Sequence, residues 1–486
     1  MTGATDPTDT GALDLDGPPL HVHIVGVGGA GMRAIATVLV AMGHRVTGSD
    51  MKPSPGLDRL RALGIDVHVG HRGEQVGHAD RVAVSTAIPA SNPEVVAAHE
   101  AGIPVLSRAQ VLAAITRVRR TLSVSGTHGK TTTTTMLALI LVEAGLSPSF
   151  IIGGDVNEIG SGAVWEDGEL FVVEADESDG TFTELASHLA VVTNVEADHL
   201  DHYGDLAGIE AAFDRFVTGA DVAVVCVDEP NAAALAARHG TTTYGTGEGA
   251  DYRIVDVSVD RVGTRFAVEH HGDVLGRIDL PIPGLHNARN ATAALVAALL
   301  VGAPFSAAAS ALGRYAGVAR RYQFRGRLDG ITFVDDYAHN PGKVAAVVGT
   351  AAQGGWGRVV VVFQPHRYSR TEDLWRDFGP SFAGADLVVI TDVDGAGEQA
   401  RPGVTGQLIV DAIAASDPGR DVVYLPDRTT LAAELAEVLR PGDLCLSLGA
   451  GDITGLADEV LAARARSDAD AAGPAADDGE PDGGTR

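Results

Sequence analysis

The sequence feature that most constrains the fold is SVSGTHGKTTTTT at residues 123–135, which places a glycine turn between a strand-like stretch and a helix-compatible run. Gly126 and Gly129 allow backbone N–H groups to turn inward around an anion. Lys130 is placed to reach the outer phosphates of a nucleotide, and the Thr131 hydroxyl is placed to hold Mg²⁺. The following helix would point its positive N-terminal end at the same phosphates. A strand, a phosphate-binding turn and a helix in succession predict an α/β domain.

This loop is a variant of the general phosphate-loop pattern, because Val124 stands where that pattern has its first glycine. The alternative is a polar turn that merely starts a helix, but it does not explain why Lys130 occupies its position. The sequence therefore predicts a nucleoside-triphosphate site. Its residues are Gly126, Thr127, His128, Gly129, Lys130, Thr131 and Thr132.

Length and composition exclude several classes of protein. A chain of 486 residues is long enough for about two to four domains. Its net charge of −28 argues against nucleic-acid binding. No apolar run approaches the length of a transmembrane helix, the first residues lack a signal pattern, and two isolated cysteines, Cys226 and Cys445, disfavour disulfides. We expect a cytoplasmic protein without nucleic-acid or membrane partners, present as a monomer or weak homodimer.

Short β-branched runs alternate with alanine-rich helical patterns along most of the chain, which predicts parallel α/β layers. Later in the second block, residues 253–259 and 264–270 alternate like antiparallel strands. The basic stretch 117–120 is predicted to be a linker between the first two blocks. Both ends of the chain are acidic and poor in large apolar residues, and are predicted to be disordered. The predicted segments are a tail at 1–19, domains at 20–119, 120–321 and 322–466, and a tail at 467–486.

An earlier glycine loop, HIVGVGGAGM, places Gly26, Gly28 and Gly31 in GxGxxG spacing after a strand, with Asp50 at the end of the next strand. This pattern is typical of dinucleotide binding, for which an oxidoreductase is the first interpretation, but GxGxxG alone is weak evidence for NAD. A glycine turn at a helix N-terminus binds a diphosphate whatever is attached to it, so a UDP-linked substrate is equally compatible. A tight strand–helix crossing without a ligand is the third possibility.

Two acidic segments follow the phosphate loop, VVEADESD and TNVEADHLDHYG. Glu174 ends one predicted strand and His199 follows another, so both are expected near Thr131 at the carboxyl edge of a parallel sheet. These three residues are predicted to bind Mg²⁺, although His199 is an unusual ligand for it. A solvated strand-end carboxylate and a helix cap are the alternatives. Asn287 and Asn290 share a helix face, and their amides suit an adenine edge.

In the third block, polar segments again follow the predicted strands, as DDYAHNP at 335–341 and FQPHRYSRT at 363–371. His339, Arg367 and Arg370 in these segments are candidates for binding a small carboxylate, because arginine offers paired donors.

Taken together, GVGGAGM, SGTHGKTTTT, EADESD, TNVEADHLDHYG, HNARNATAA, DDYAHNP, FQPHRYSRT and GAGD resemble the motifs of the Mur ligases, in the same order, over residues 20–465. The resemblance implies a Rossmann-like UDP-binding domain, a P-loop ATPase-type α/β domain and a Rossmann-like C-terminal domain. It implies ATP-dependent amide formation, with Mg²⁺, between L-alanine and the carboxylate of UDP-N-acetylmuramate through an acyl phosphate.

The resemblance also implies residue roles. The UDP-linked substrate is expected on Gly28, Gly29, Ala30, Gly31, Met32, Asp50 and Ser85. ATP is expected on residues 126–132, with Asn287 and Asn290 at adenine, Arg321 at phosphate and Asp336 at ribose. L-alanine is expected on His339, Arg367 and Arg370, and the catalytic residues are Lys130, Glu174, His199 and Arg321. His199 or His339 is expected to assist loss of a proton from the amine.

Asn340 stands where the family usually has a second histidine, and activity is expected to persist because its amide still donates and accepts hydrogen bonds. Three other functions stay open. One is the related ligase that attaches a recycled peptide, and the others are a nicotinamide-dependent dehydrogenase and a non-catalytic nucleotide-binding regulator.

Overall fold

The computed structural model describes residues 13–85, 87–156, 161–315, 317–318 and 320–471. The chain separates into two compact units, residues 1–319 and 320–486. Two sheets belong to the first unit and one sheet to the second. The two units are described separately.

The first sheet of unit one contains parallel strands with helices between them. Its strands are β1 (His21–Val25), β2 (Arg45–Asp50), β3 (Asp66–Val69), β4 (Arg81–Val84) and β5 (Val105–Ser107). Its helices are α1 (Ala30–Ala41), α2 (Pro55–Ala62), α3 (Pro93–Glu100) and α4 (Arg108–Val118). The strand order β3-β2-β1-β4-β5 puts the first glycine loop, between β1 and α1, at the centre of the carboxyl edge.

The second sheet of unit one is larger and mixed. Its strands are β6 (Arg120–Ser125), β7 (Ser149–Val156), β8 (Ser161–Val164), β9 (Leu170–Glu174), β10 (Leu189–Val192), β11 (Val222–Cys226), β12 (Thr242–Gly245), β13 (Tyr252–Val259), β14 (Thr264–His270) and β15 (Asp273–Leu280). Its helices are α5 (Lys130–Glu143), α6 (Leu200–Tyr203), α7 (Leu206–Thr218), α8 (Pro230–His239), α9 (Leu285–Leu300) and α10 (Phe305–Gly313).

The strand order in this sheet is β15-β14-β13-β12-β11-β10-β6-β9-β7-β8. β6, which precedes the phosphate loop, lies between β9 and β10 and is parallel to both. The C-terminal ends of these three strands therefore meet at one edge, as the sequence predicts for Thr131, Glu174 and His199. The predicted antiparallel pairing of the later strands is confirmed, since β14 pairs antiparallel with β13 and with β15.

The basic stretch at 117–120 lies almost entirely within secondary structure, which contradicts the prediction of a linker there. Helix α4 ends at Val118 and β6 begins at Arg120, so Arg119 alone separates them. The Arg119 guanidinium lies 4.1 Å from the centre of the Trp165 ring and donates to Oγ of Ser149 at 2.9 Å. One continuous hydrophobic core also spans both sheets, which joins the two domains into one unit.

Unit two contains one sheet with helices on both faces. Its strands are β16 (Gln323–Leu328), β17 (Ile331–Asp336), β18 (Arg358–Phe363), β19 (Leu387–Ile390), β20 (Asp421–Tyr424) and β21 (Asp443–Leu448). Its helices are α11 (Pro341–Gln353), α12 (Tyr368–Leu374), α13 (Gln407–Ser416), α14 (Leu431–Val438) and α15 (Leu456–Ala471). The order is β16-β17-β21-β18-β19-β20, and all pairs are parallel except β16 with β17.

The predicted fold class, with three α/β domains, is confirmed by three sheets. The tail prediction needs correction at both ends. Leu13 and Leu15 are buried in the core of unit one, so the packed chain begins before residue 20, and α15 continues to residue 471. Residues 1–12 and 472–486 of the predicted tails lie outside the described residues. Within the described part of the chain, no helix is long and apolar enough to cross a membrane.

Candidate functional site

The phosphate loop occupies residues 126–129, between β6 and α5. Gly126 and Gly129 have φ angles of 133° and 83°, in the region that favours glycine. Gly129 is the N-cap of α5, and no side chain caps this helix end. No side chain therefore occupies the N-terminal end of α5, where the sequence analysis expects an anion.

Residues that follow β10 hold this loop in place. The backbone N–H of His128 donates to Oδ1 of Asn194 at 2.8 Å, and Oγ1 of Thr193 donates to the carbonyl of His128 at 2.5 Å. The backbone N–H of Glu196 donates to Oγ1 of Thr127 at 2.9 Å. The loop conformation is thus fixed by the protein before any ligand binds.

Lys130 forms a buried ion pair that the sequence analysis missed. Its Nζ donates to Oε1 of Glu177 at 2.8 Å and lies 2.7 Å from Oε2, and it also donates to the carbonyl of Gly126. Burial by itself would lower the pKa of Lys130, but the carboxylates of Glu177, Asp176 and Glu174 outweigh it and raise the pKa. Lys130 is therefore charged and directed toward the loop. The only sequence signal that could have indicated Glu177 is the clustering of acidic residues in EADESD.

Thr131 and Glu174 are brought together as predicted. Oγ1 of Thr131 donates to Oε1 of Glu174 at 2.9 Å, and the backbone N–H of Gly153 donates to the other carboxylate oxygen at 2.8 Å. Asp176 is close by, and its pKa is lowered because Lys130 and the N–H of Ser178 outweigh the effect of burial. Hydroxyl and carboxylate oxygens are donors that Mg²⁺ prefers. Among the described residues, no group of three His, Cys, Asp or Glu side chains is arranged to hold a metal ion.

His199 lies at the start of helix α6 with a φ of 53°, a left-handed conformation unusual for a residue other than glycine. Its Nε2 atom lies 3.8 Å from Oδ2 of Asp198. The hydroxyl of Tyr203, at the other end of α6, donates to the carbonyl of Glu177, and burial together with nearby carboxylates raises the pKa of Tyr203 to about 12. This bond anchors the helix that carries His199 beside the Lys130–Glu177 pair.

Asn287 and Asn290 lie on α9, which packs against α5. Asn287 is buried, and its amide donates to the carbonyl of Pro283 at 2.7 Å. The amide oxygen of Asn290 lies against Gly129, where a Cβ atom would collide with it. The structure thus places Asn290 directly beside the phosphate loop, and gives Asn287 a bond within its own turn.

The first glycine loop begins after β1 and leads into α1, whose N-cap Gly29 provides no side-chain cap. Asp50, at the end of β2, accepts a hydrogen bond from the backbone N–H of Gly28 at 2.8 Å. Asp50 therefore shapes this loop. Met32 is buried in the core, so only its backbone faces a ligand, and Ser85 lies against Gly26 at the end of β4.

A small cleft lies within unit one, between α4 of the first domain and the acidic segment after β9. Glu174, Asp176 and Arg108 are among the residues that line it. A Cβ atom on Gly31 of the first glycine loop would lie 3.1 Å from Nη1 of Arg108. Arg108 therefore lies between the first glycine loop and the acidic segment after β9, and Glu174 of that segment accepts a hydrogen bond from Thr131. The sequence analysis did not identify Arg108.

In unit two, His339 follows β17 and is brought close to the second candidate segment. Its Nδ1 lies 2.8 Å from the carbonyl of Tyr337, so Nδ1 carries the proton and Nε2 carries the lone pair. Burial, together with the charges of Arg370 and Lys343, lowers the pKa of His339 to about 3. The ring is therefore neutral near pH 7. The ring of His366 lies 6.1 Å away.

Arg367 and Arg370 belong to the turn and helix that follow β18. Arg367 is exposed and has a φ of 72°, an uncommon conformation that occurs preferentially at functional sites. Its backbone N–H donates to the carbonyl of Asp394 at 2.7 Å, which fixes the turn. Nη1 of Arg370 donates to the carbonyl of His366 at 3.2 Å. The structure thus places Arg370, His366 and His339 together, with Arg367 at the start of the same helix.

Asp336 at the end of β17 is buried, and its two carboxylate oxygens accept backbone N–H groups of Tyr322 and Ala338. Burial raises the pKa of Asp336, opposed by the charge of Arg321. The Arg321 guanidinium lies 5.4 Å from the centre of the Tyr337 ring. Asp336 therefore shapes this turn in addition to any role toward ribose.

Asn340 is the N-cap of α11, and its Oδ1 accepts the backbone N–H of Lys343 at 3.0 Å. Asparagine is among the best N-cap residues. Asn340, which stands where the family usually has a second histidine, thus has a structural function as a helix cap.

Comparison with known proteins agrees with this organisation. Family models match in succession: the Mur ligase family catalytic domain at residues 21–120, the Mur ligase middle domain at 124–298, and the Mur ligase glutamate ligase domain at 320–451. UDP-N-acetylmuramate–L-alanine ligase from Acidothermus cellulolyticus is 47% identical over 92% of this chain and 95% of its own length. The protein of that name from Pelotomaculum thermopropionicum is 44% identical over 91% and 97%.

The solved structure of UDP-N-acetylmuramate-alanine ligase MurC from Thermotoga maritima is 28% identical, with a TM-score of 0.77 over 92% of this chain and all of that chain. The fold and the relatives together define a three-domain, ATP-dependent ligase that forms amide bonds. The relatives span nearly the whole chain and are not dehydrogenases. The chain belongs to the Mur ligase family.

Proposed function

We propose that this chain joins L-alanine to the carboxylate of UDP-N-acetylmuramate at the expense of ATP, in the synthesis of peptidoglycan precursors. The observation that carries the proposal is that Arg108 lies against Gly31 of the first glycine loop and lines the same cleft as Glu174, which accepts a hydrogen bond from Thr131. With a nucleotide diphosphate on the first loop and a triphosphate on the second, the muramate carboxylate and the γ-phosphate of ATP then lie on the same side of unit one. The names shared by the relatives support the choice of substrates.

The reaction proceeds in two steps. A carboxylate oxygen of the muramate attacks the γ-phosphorus of ATP, the bond to the β-phosphate oxygen breaks, and ADP leaves. The neutral amine of alanine then attacks the acyl carbon, the bond from that carbon to the phosphate oxygen breaks, and the proton lost by the nitrogen leaves with inorganic phosphate. Lys130 offsets the negative charge that develops on the transferred group, and the phosphate loop orients that group.

Mg²⁺ fits the oxygen donors at the start of α5, so Thr131 and Glu174 are the residues that would hold it. Bound there, the ion would neutralise phosphate charge. Glu177 keeps Lys130 extended toward the loop, and Tyr203 fixes α6 beside this pair. His199 is the less direct contributor, because its ring faces Asp198.

Unit two binds the amino acid. Arg367 and Arg370 pair with the carboxylate of alanine, and the lone pair on Nε2 of His339 accepts a hydrogen bond from its amine. A histidine with a pKa of about 3 is a weak base, so His339 orients the amine and does not remove its proton. We place the enzyme in the cytoplasm, as a monomer or weak homodimer, on the sequence grounds given above.

The test measures phosphate release with ATP, Mg²⁺ and UDP-N-acetylmuramate while the acceptor is varied among L-alanine, glycine, L-serine and a tripeptide. Mass spectrometry should detect the alanine adduct. Turnover with the tripeptide alone would favour the peptide-adding ligase, and absence of turnover with every acceptor would favour a regulator. Arg367→Ala should weaken alanine use and leave the KM for the UDP substrate unchanged.

A further inference from the structure

Arg108 lies between the first glycine loop and the acidic segment that follows β9. It is the first residue of α4, and a capping box formed by Ser107 and Gln110 fixes this helix end. Its Nη1 lies at the first turn of α1, since a Cβ atom on Gly31 would be 3.1 Å away. Its side chain also lines the cleft that contains Glu174 and Asp176. The Arg108 guanidinium therefore contacts both the first glycine loop and the acidic segment that follows β9.

The contacts of Arg108 within the protein contribute little to its folding stability. Its ion pair with Asp179 is loose, at 3.6 Å, and both side chains are about a third exposed. Such pairs contribute about 0–1 kcal/mol. A cation at the first position of a helix also opposes the helix dipole. Among the hydrogen bonds of the described residues, none is donated by the Arg108 guanidinium.

We infer that Arg108 binds the diphosphate of the UDP-linked substrate, an inference that rests on the proposed function. The diphosphate on the first glycine loop carries about two negative charges and faces the carboxylates of Glu174 and Asp176 across the cleft. Arg108 lies between these groups, and its planar donors suit two phosphate oxygens. It thereby holds the diphosphate at a fixed distance from the site of phosphoryl transfer, which positions the muramate carboxylate.

Arg108→Gln and Arg108→Lys test this inference, with Arg117→Gln as the matched control because Arg117 is exposed near the other end of the same helix. Calorimetry would measure the Kd of uridine, UDP, UDP-N-acetylmuramate and ATP. We expect Arg108→Gln to weaken UDP and UDP-N-acetylmuramate by a similar factor of roughly 10 to 100, the range for losing charge-assisted hydrogen bonds. Arg108→Lys should recover part of this loss, and uridine, ATP and Arg117→Gln should be unaffected.

Unchanged binding of UDP to Arg108→Gln would overturn the inference, as would an equal loss for uridine, which has no phosphate. A loss confined to UDP-N-acetylmuramate would assign Arg108 to the muramate carboxylate and would also overturn it. These binding experiments do not need turnover. Failure of the wild-type protein to ligate alanine is measured separately by product formation, and it would reject the proposed function without deciding the role of Arg108.

Discussion

Nζ of Lys130 lies 2.7 Å from Oε2 of Glu177, and the two side chains are only 13% and 4% exposed. Removing one partner from a buried ion pair leaves an uncompensated charge, which costs about 3–5 kcal/mol. We expect Lys130→Ala to lower phosphate release at least 100-fold and also to lower the melting temperature. The double variant Lys130→Ala/Glu177→Gln should regain much of the stability and none of the activity.

This comparison separates the two roles of the lysine. Thermal unfolding reports the buried charge, and phosphate release in the presence of both co-substrates reports catalysis. Wild-type rates in Lys130→Ala would contradict the assignment of the phosphate loop. Equal stability of the single and double variants would show that Glu177 is not left unpaired by the loss of Lys130.

The elements around the glycine loops were predictable because their signals are local. A strand precedes the phosphate loop, another ends at Glu174, and a third ends before His199, as the sequence predicts. The polar residues at the carboxyl ends of strands followed from the geometry of parallel sheets. Thr131 and Glu174 could be paired in this way because β6 and β9 are neighbours.

The sequence did not predict the contacts that depend on packing between distant segments. Glu177 is 47 residues from Lys130, and nothing in EADESD shows which of its carboxylates faces the lysine. Arg108 is distant from Gly31 in the sequence, and it reaches Asp179 of the second domain because the two domains share one core. The same core explains why Leu13 and Leu15 are buried within a segment whose composition is typical of disorder.

Gly129→Ala should damage the phosphate loop for two separate reasons. The φ of 83° is unfavourable for alanine, and the new Cβ atom would collide with Oδ1 of Asn290. We expect the KM for ATP of Gly129→Ala to be at least tenfold higher than that of the wild-type protein.

Gly145→Ala is the matched control, because Gly145 has a φ of 72° with open space around it. It should lose about 1 kcal/mol of stability and no ATP affinity, and equal ATP effects in both variants would contradict the role of the Asn290 contact.

Asn340 should contribute to stability as the cap of α11. Asn340→Ala should cost about 1 kcal/mol, whereas Asn340→Ser should cost much less, because serine also caps helices well. Asn340→His restores the residue that the resemblance leads one to expect. It should lower the melting temperature without raising the rate of ligation. A substantial rise in rate would show instead that the family's second histidine has a catalytic role that asparagine does not replace.

His339 should make the stability of the protein depend on pH in a predictable direction. Its pKa is about 3 in the folded protein, compared with about 6.5 in an unfolded chain, because burial and the charges of Arg370 and Lys343 disfavour the protonated ring. The unfolded chain therefore binds more protons between these values, and the contribution of His339 is complete above pH 6.5 and is lost as the pH falls toward 3. At pH 5 the loss of stability is about 2 kcal/mol.

We expect His339→Asn to show a smaller fall in melting temperature between pH 7 and pH 5 than the wild-type protein. His286, whose pKa burial lowers to about 4, is present in both proteins, so its effect cancels in the comparison. Parallel pH profiles for the two proteins would show that His339 is not held neutral by its surroundings.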